Sequence, residues 1–206
     1  MCGLAGLIRL DGSRAEQADE AVVRAMCELT SYRGPDDQGI SAIGPLCLGS
    51  RRLAIIDVSP AGHMPMADPT GRWWIAYNGE TYNFHETRDE LEKRGVHFRS
   101  HSDTEVVLHA WMTWGPACLD RLAGMFALAI YDSKTGELVL ARDRYGVKPL
   151  YWTSQDGRVL FASEIKALLP HRRGNRIDLQ SLSEWWLYRN TDAVTPETLV
   201  EGVVQL

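Results

Sequence analysis

Apolar positions change their period several times along this chain, and each change marks an element. Gly3 to Leu10 is a short, mostly apolar run that predicts a strand. From about Ala15 to Thr30, Val22, Met26 and Leu29 recur at helical spacing. After Arg33-Gly34-Pro35-Asp36, Ile40 to Leu48 and Leu53 to Ile56 read as strands. Trp73 to Tyr77 reads as another, ending at Asn78-Gly79. Glu86 to Arg94 predicts a short helix stopped by Gly95. Ser102-Asp103-Thr104-Glu105 has the form of a capping box, serine at N-cap and glutamate at N3, ahead of Val106, Val107, Ala110, Trp111 and Trp114.

Met125 to Tyr131 is apolar nearly throughout rather than alternating, as expected of a strand buried on both faces. Ser133-Lys134-Thr135-Gly136 turns it into a strand at Leu138 to Arg142. A second hairpin joins Leu150–Trp152 to Val159–Ala162 through Ser154-Gln155-Asp156-Gly157. A last strand is expected from Leu199 to Leu206, after a turn at Thr195-Pro196. Hairpins interspersed with helices predict sheets packed together with helices outside, an α+β chain of 206 residues. A chain that stops inside a strand is expected to be a fragment, or to be followed by a further domain.

Composition narrows the function classes. The chain is 45% hydrophobic and 24% charged, with a formal net charge of −5, which argues against a nucleic-acid footprint. No apolar run approaches the roughly 20 residues of a membrane span, and Arg9 and Asp11 interrupt the N-terminal apolar stretch early. A cytoplasmic location is therefore expected. Cys2, Cys27, Cys47 and Cys118 are scattered, without metal-ligand spacing or a disulfide framework. No metal site is expected.

The chemistry candidates each have two readings. Cys2 is either a small apolar residue opening a strand or, with Met1 removed, a nucleophile carrying its own base. A free α-amine has a pKa of about 7.7–8.0 and can take the thiol proton. Asn78-Gly79 is either the strongest two-residue hairpin signal or an oxyanion hole, the Asn78 amide and the Gly79 N–H both donating. Arg52 is either solvated or a bidentate clamp for a carboxylate. Asp103 either complements a helix dipole or holds an ammonium group. An arginine for a carboxylate and an aspartate for an amine together suit a free amino acid.

Nine segments recur in family order: MCGLAG, RGPD at 33–36, RLAIID at 52–57, YNGE at 77–80, SDTE at 102–105, GMFA at 124–127, ARDR at 141–144, GVKPLY at 146–151 and SEIKAL at 163–168. On these the chain resembles the N-terminal glutaminase domain of glutamine-hydrolysing asparagine synthetases, a class II glutamine amidotransferase. RGPD and GVKPLY favour this group over the amidotransferases of purine or hexosamine synthesis. The resemblance spans residues 2–206 and implies a four-layer αββα N-terminal-nucleophile hydrolase sandwich.

It further implies that Cys2 attacks the side-chain amide of L-glutamine, with Asn78 and Gly79 as oxyanion hole, Arg52 on the carboxylate, and Asp103 with Glu80 on the amino group. No cofactor is implied for this domain. ATP and Mg belong to a synthetase domain, whose S-G-G-x-D-S signature the chain lacks. The ammonia would pass to that downstream domain or a partner chain, with aspartate as the expected acceptor. A sugar or natural-product acceptor and a non-catalytic scaffold role are the alternatives, and a homodimer is left open. Tyr32 and Thr81 depart from the family pattern, which commonly has histidine and isoleucine there.

Overall fold

The computed structural model describes residues 1–188 and 196–206. Two antiparallel sheets stack face to face. The first has six strands in the order β10-β8-β9-β1-β3-β2, namely Val204–Gln205, Tyr151–Gln155, Arg158–Ala162, Gly3–Arg9, Leu46–Arg52 and Asp37–Ile43. The second runs β4-β5-β6-β7, with Met66–Ala67, Trp73–Thr81, Gly124–Asp132 and Glu137–Arg142. Helix α1 (Gln17–Leu29) and the short α4 (Ile165–Leu168) cover the first sheet, and α2 (Phe84–Lys93) and α3 (Asp103–Trp114) cover the second. A further helix, α5, spans Leu179–Tyr188. The order helix, sheet, sheet, helix is the expected α+β, αββα sandwich.

Three buried clusters fill the spaces between layers. Ala5, Leu7, Cys47 and Leu160 meet Val23, Met26 and Cys27 of α1. Leu4, Leu46 and Leu48 meet Ala76, Ala127 and Ala129 between the sheets. Tyr77, Phe126, Leu128 and Ile130 pack on Val107 and Trp111 of α3. The two-residue strand period therefore sorts side chains by layer. Even-numbered residues of β1, β3 and β5 face the space between the sheets; in β6 that face belongs to odd-numbered Ala127 and Ala129. Met125–Tyr131 is indeed covered on both faces.

Several expectations on local structure are corrected. Ile40–Leu48 is two strands, β2 and β3, joined at Gly44-Pro45, where Gly44 takes a left-handed φ of 57°. Leu53–Ile56 is no strand. Pairing with β2 ends at Arg52, and Ile55 is 67% exposed. Asn78-Gly79 is no hairpin, because β5 continues to Thr81 and stays paired with β6 through Gly124. The working Asp-Gly turn is Asp156-Gly157, whose φ values of 51° and 70° suit a two-residue β8–β9 hairpin.

The capping box is half formed. Ser102 Oγ accepts from Glu105 N (3.3 Å), but the Glu105 carboxylate reaches back to Arg99 N (3.0 Å) and Ser100 N (2.7 Å) instead of Ser102 N. The expected strand over 199–206 shrinks to β10, since Gly202 turns the chain at φ 73°. Thr195 of the expected turn lies outside the described residues. The pattern gave no sign of the helices at Ile165–Leu168 and Leu179–Tyr188.

Close approach of α1 to β3 depends on Gly49. A Cβ there would stand 2.6 Å from Val23 Cγ1 and 2.7 Å from Cys27 Sγ, both fully buried. Overpacking of this kind costs about 1–3 kcal/mol. Gly49→Ala is expected to destabilise the domain by that amount in urea unfolding.

Candidate active site

Strand parity places the nucleophile candidate. Cys2 continues the even-numbered face of β1 (Leu4, Gly6, Ile8) and so projects toward the second sheet, while Asn78 shares the inward face of β5 with Ala76. Arg52 continues the inward face of β3, next to where Gly3 pairs with Arg51. Asp103 is the first residue of α3, on the other side of β5. All six predicted site residues, Cys2, Arg52, Asn78, Gly79, Glu80 and Asp103, line one cavity of about 150 Å³.

Cys2 Sγ lies 3.4 Å from the Leu53 N–H, which donates to it, and 3.7 Å from the Leu53 carbonyl. Burial pushes the thiol up, while the Leu53 N–H, the chain-terminal ammonium and Arg52 pull it down; the net shift is upward. The thiolate therefore needs a local base to form at neutral pH.

Asn78 is 1% exposed, and neither Nδ2 nor Oδ1 of its amide meets a hydrogen-bond partner among the described residues. Buried amides are rarely left so. The Gly79 N–H completes a pair of donors by backbone direction. Thr81 N donates to Asp103 Oδ2 (3.0 Å), away from β6. Residue 79, two positions earlier, presents its N–H on the same side. Across the ladder, Phe126 turns its own N–H and carbonyl to Asp143 rather than to Gly79. A Cβ at Gly79 would meet Met125 O and the Tyr77 ring, both at 2.6 Å. Glycine is required here for close approach.

Two charged groups stand around these donors. The Arg52 guanidinium is held by the Asp57 carbonyl and by the Ser59 carbonyl (3.1 Å), and its flat face lies against Gly62, where any side chain would collide. Two of its five N–H donors are thereby fixed, and the others have no partner among the described residues. Asp57, whose carboxylate accepts from Ser59 N and His101 N (2.8 Å each), anchors the loop that does this.

Asp103 is 6% exposed and makes no ion pair among the described residues. Burial pushes its carboxyl up, and nearby Glu80 adds to this, against the N–H groups of Thr81 and Thr104. Glu80 itself sits at the exposed rim. A buried carboxylate with no ion pair among the described residues, sharing a cavity with a partly committed guanidinium, is complementary to a zwitterionic amino acid.

Sequence reasoning missed several contributors. Leu53, Tyr77, Met64, Met125 and Lys148 also line the cavity. Tyr77 stacks beneath Gly79 with its hydroxyl 2.9 Å from Thr81 Oγ1, and burial together with Asp103 holds its phenol well above the usual range. Arg33 reaches the Cys2 carbonyl from outside the cavity. The signal for Arg33 and Lys148 was present in RGPD and GVKPLY, but neither motif says which side chain points at the site.

A family model described as a glutamine amidotransferase domain matches residues 1–206. Asparagine synthetase [glutamine-hydrolyzing] 3 of Bacillus subtilis is 40% identical over 187 residues, covering 89% of this chain and 30% of that protein. Asparagine synthetase B [glutamine-hydrolyzing] of Escherichia coli is 37% identical over 171 residues, covering 82% of this chain and again 30% of the relative. The chain thus spans under a third of the length of these curated relatives. Among solved structures, the glutamine phosphoribosylpyrophosphate amidotransferase of B. subtilis superposes with a TM-score of 0.68 at 21% identity, covering 81% of this chain and 43% of that one. That likeness bears out the four-layer αββα fold. The chain belongs to the glutamine amidotransferase domain family.

Proposed function

We propose that this domain hydrolyses L-glutamine to L-glutamate and ammonia through a thioester on Cys2. The observation that carries the reading is the Asn78 amide, buried without a partner among the described residues and in the same cavity as the thiol. Removal of Met1, which is exposed at the cavity mouth, leaves Cys2 with a free α-amine. That amine takes the thiol proton as Sγ attacks the amide carbon of the substrate. The carbonyl oxygen becomes an oxyanion facing Asn78 Nδ2 and the Gly79 N–H. The protonated amine then gives its proton to the leaving nitrogen, and ammonia departs. Water, deprotonated by the same amine, attacks the thioester through a second oxyanion and releases glutamate and the thiol.

Arg52 takes the substrate α-carboxylate and Asp103 its α-ammonium, with Glu80 assisting at the rim. These anchors fix which amide carbon reaches Sγ. The chemistry as drawn needs no cofactor. In the whole protein, by analogy with the asparagine synthetases, the ammonia passes to an ATP- and Mg-dependent synthetase domain that amidates aspartate. Glutamate release by the Met1-processed protein tests the core of the reading. It should vanish in Cys2→Ala and after treatment with 6-diazo-5-oxo-norleucine; activity retained in Cys2→Ala would overturn it.

Two quantitative outcomes follow from the division of roles. Asn78→Ala should lower kcat by about 10²–10³-fold, the usual loss for one oxyanion donor, with little change in KM. Asp103→Asn keeps an acceptor for Thr81 N but loses the charge, so KM for glutamine should rise about 30-fold or more.

The same variant has a stability signature. A carboxyl pushed above its unfolded value opposes folding at pH above the ordinary carboxylate range, and the penalty fades as pH falls through the raised folded pKa. Asp103→Asn should therefore not lower the thermal midpoint at neutral pH. A large drop in scanning calorimetry would contradict this account of the residue.

A further inference from the structure

Strand register leaves the nucleophile with very few anchors. Pairing of β1 with β3 starts at Gly3, and pairing with β9 starts only at Ala5. Residues 2–4 thus project past the end of β9, and Cys2 lies beyond the ladder on both sides. Leu4 is nevertheless gripped on its β9 side by the residue that follows that strand. Ser163 Oγ accepts from Leu4 N (3.0 Å), and Ser163 N donates to Leu4 O (2.9 Å).

The next residue, Glu164, acts one step further out. Arg33 Nε donates to the Cys2 carbonyl (2.9 Å), and Arg33 Nη1 donates to Glu164 Oε1 (2.8 Å). The Tyr32 hydroxyl donates to that same oxygen, and Lys166 Nζ stands 3.6 Å from Oε2. The Arg33 side chain is 7% exposed. Burial works against the Glu164 charge, but the Tyr32 hydroxyl and the Arg33 guanidinium prevail and keep the carboxyl below its usual range.

We propose that Glu164 is a positioning residue for the nucleophile, holding the Cys2 carbonyl in place through Arg33. The inference rests on the thioester reading above. Once Met1 is gone, Cys2 has no preceding residue to fix its orientation, and its carbonyl is the one backbone atom of the residue with a side-chain partner among the described hydrogen bonds. Rotation about the N–Cα bond of Gly3, a residue with no Cβ to restrict it, would swing the Cys2 carbonyl, amine and thiol together, away from the Asn78 amide. The Arg33 hydrogen bond to that carbonyl resists it. Glu164 is not among the residues lining the cavity, and its partners are Tyr32, Arg33 and Lys166, so its effect should fall on turnover and not on substrate binding.

The test compares Glu164→Ala, Glu164→Asp and Glu164→Gln in the Met1-processed protein, each with its thermal midpoint measured. Misplacing reacting groups by about 1 Å can lower rates up to about 10²-fold. Glu164→Ala is expected to lower kcat by about 10–100-fold with KM for glutamine within about two-fold of the parent. Glu164→Gln, which keeps an acceptor oxygen where Arg33 and Tyr32 converge, should recover most of that loss.

Glu164→Asp keeps the charge but withdraws it by one methylene, so it should show an intermediate loss, again confined to kcat. It serves as the deciding variant if the alanine protein fails to fold. A folded Glu164→Ala or Glu164→Asp at parental kcat, or a loss expressed as raised KM, overturns the proposal. Cys2→Ala separates the two layers. Activity surviving in that variant defeats the thioester reading itself, whereas an inactive Cys2→Ala beside a fully active Glu164→Ala defeats only the positioning role.

Discussion

Burying an amide with both ends unpaired costs about 1–3 kcal/mol, and an uncompensated buried carboxylate adds to the burden. This domain holds both, at Asn78 and Asp103, within one cavity. The packing of β5 does not demand the Asn78 amide, and of Asp103 it uses only an acceptor for the Thr81 N–H, not a charge. An alanine at 78 would continue the small inward face made by Ala76, Ala127 and Ala129, and a neutral residue at 103 would still start α3 behind the Ser102 cap. The surrounding layers supply enough apolar burial to sustain these groups. Their arrangement around Cys2 has a physical explanation when a substrate supplies the missing partners: a developing oxyanion for one, an ammonium for the other.

The stacking of the two sheets turns that possibility into geometry. Cys2 and Arg52 end neighbouring strands of the first sheet, and their inward parity aims both at the second. Asn78 answers from the facing side of β5, while Gly79 and Thr81 offer backbone N–H groups along the strand edge that β6 leaves open. Asp103 reaches that edge from α3, tied to it through Thr81. Between the sheets the alanines of β5 and β6 face the leucines of β1 and β3, with Tyr131 and Phe161 also in the layer. Gly62, Gly79 and Gly49 each remove a side chain where a guanidinium, a phenol or a helix must come close.

Much of this was readable in the chain, for identifiable reasons. The strands at Met125–Tyr131 and Val159–Ala162, helices α1 to α3 and the Ser102 cap follow from local periodicity and capping chemistry. The six cavity residues followed from amino-acid complementarity together with the family resemblance. What failed was information carried by distant partners. Asn78-Gly79 has the local chemistry of a turn, and only pairing with β6, some fifty residues later, keeps it extended. Leu53–Ile56 is apolar like a strand, yet it lies beyond the pairing of β2 with β3, and it closes a cavity wall instead. The bridge from Cys2 through Arg33 to Glu164 joins residues 131 apart at its second step, and no spacing rule anticipates it.

The oxyanion donors, the substrate anchors and the α-amine all converge on one atom, Cys2 Sγ. Rapid acid quenching of the Met1-processed domain during glutamine turnover, followed by peptide mass spectrometry, tests that convergence directly. A γ-glutamyl adduct is expected on the N-terminal peptide at Cys2, with Cys27, Cys47 and Cys118 unmodified. Turnover without any adduct at Cys2, or an adduct carried by one of the three buried cysteines, would contradict it.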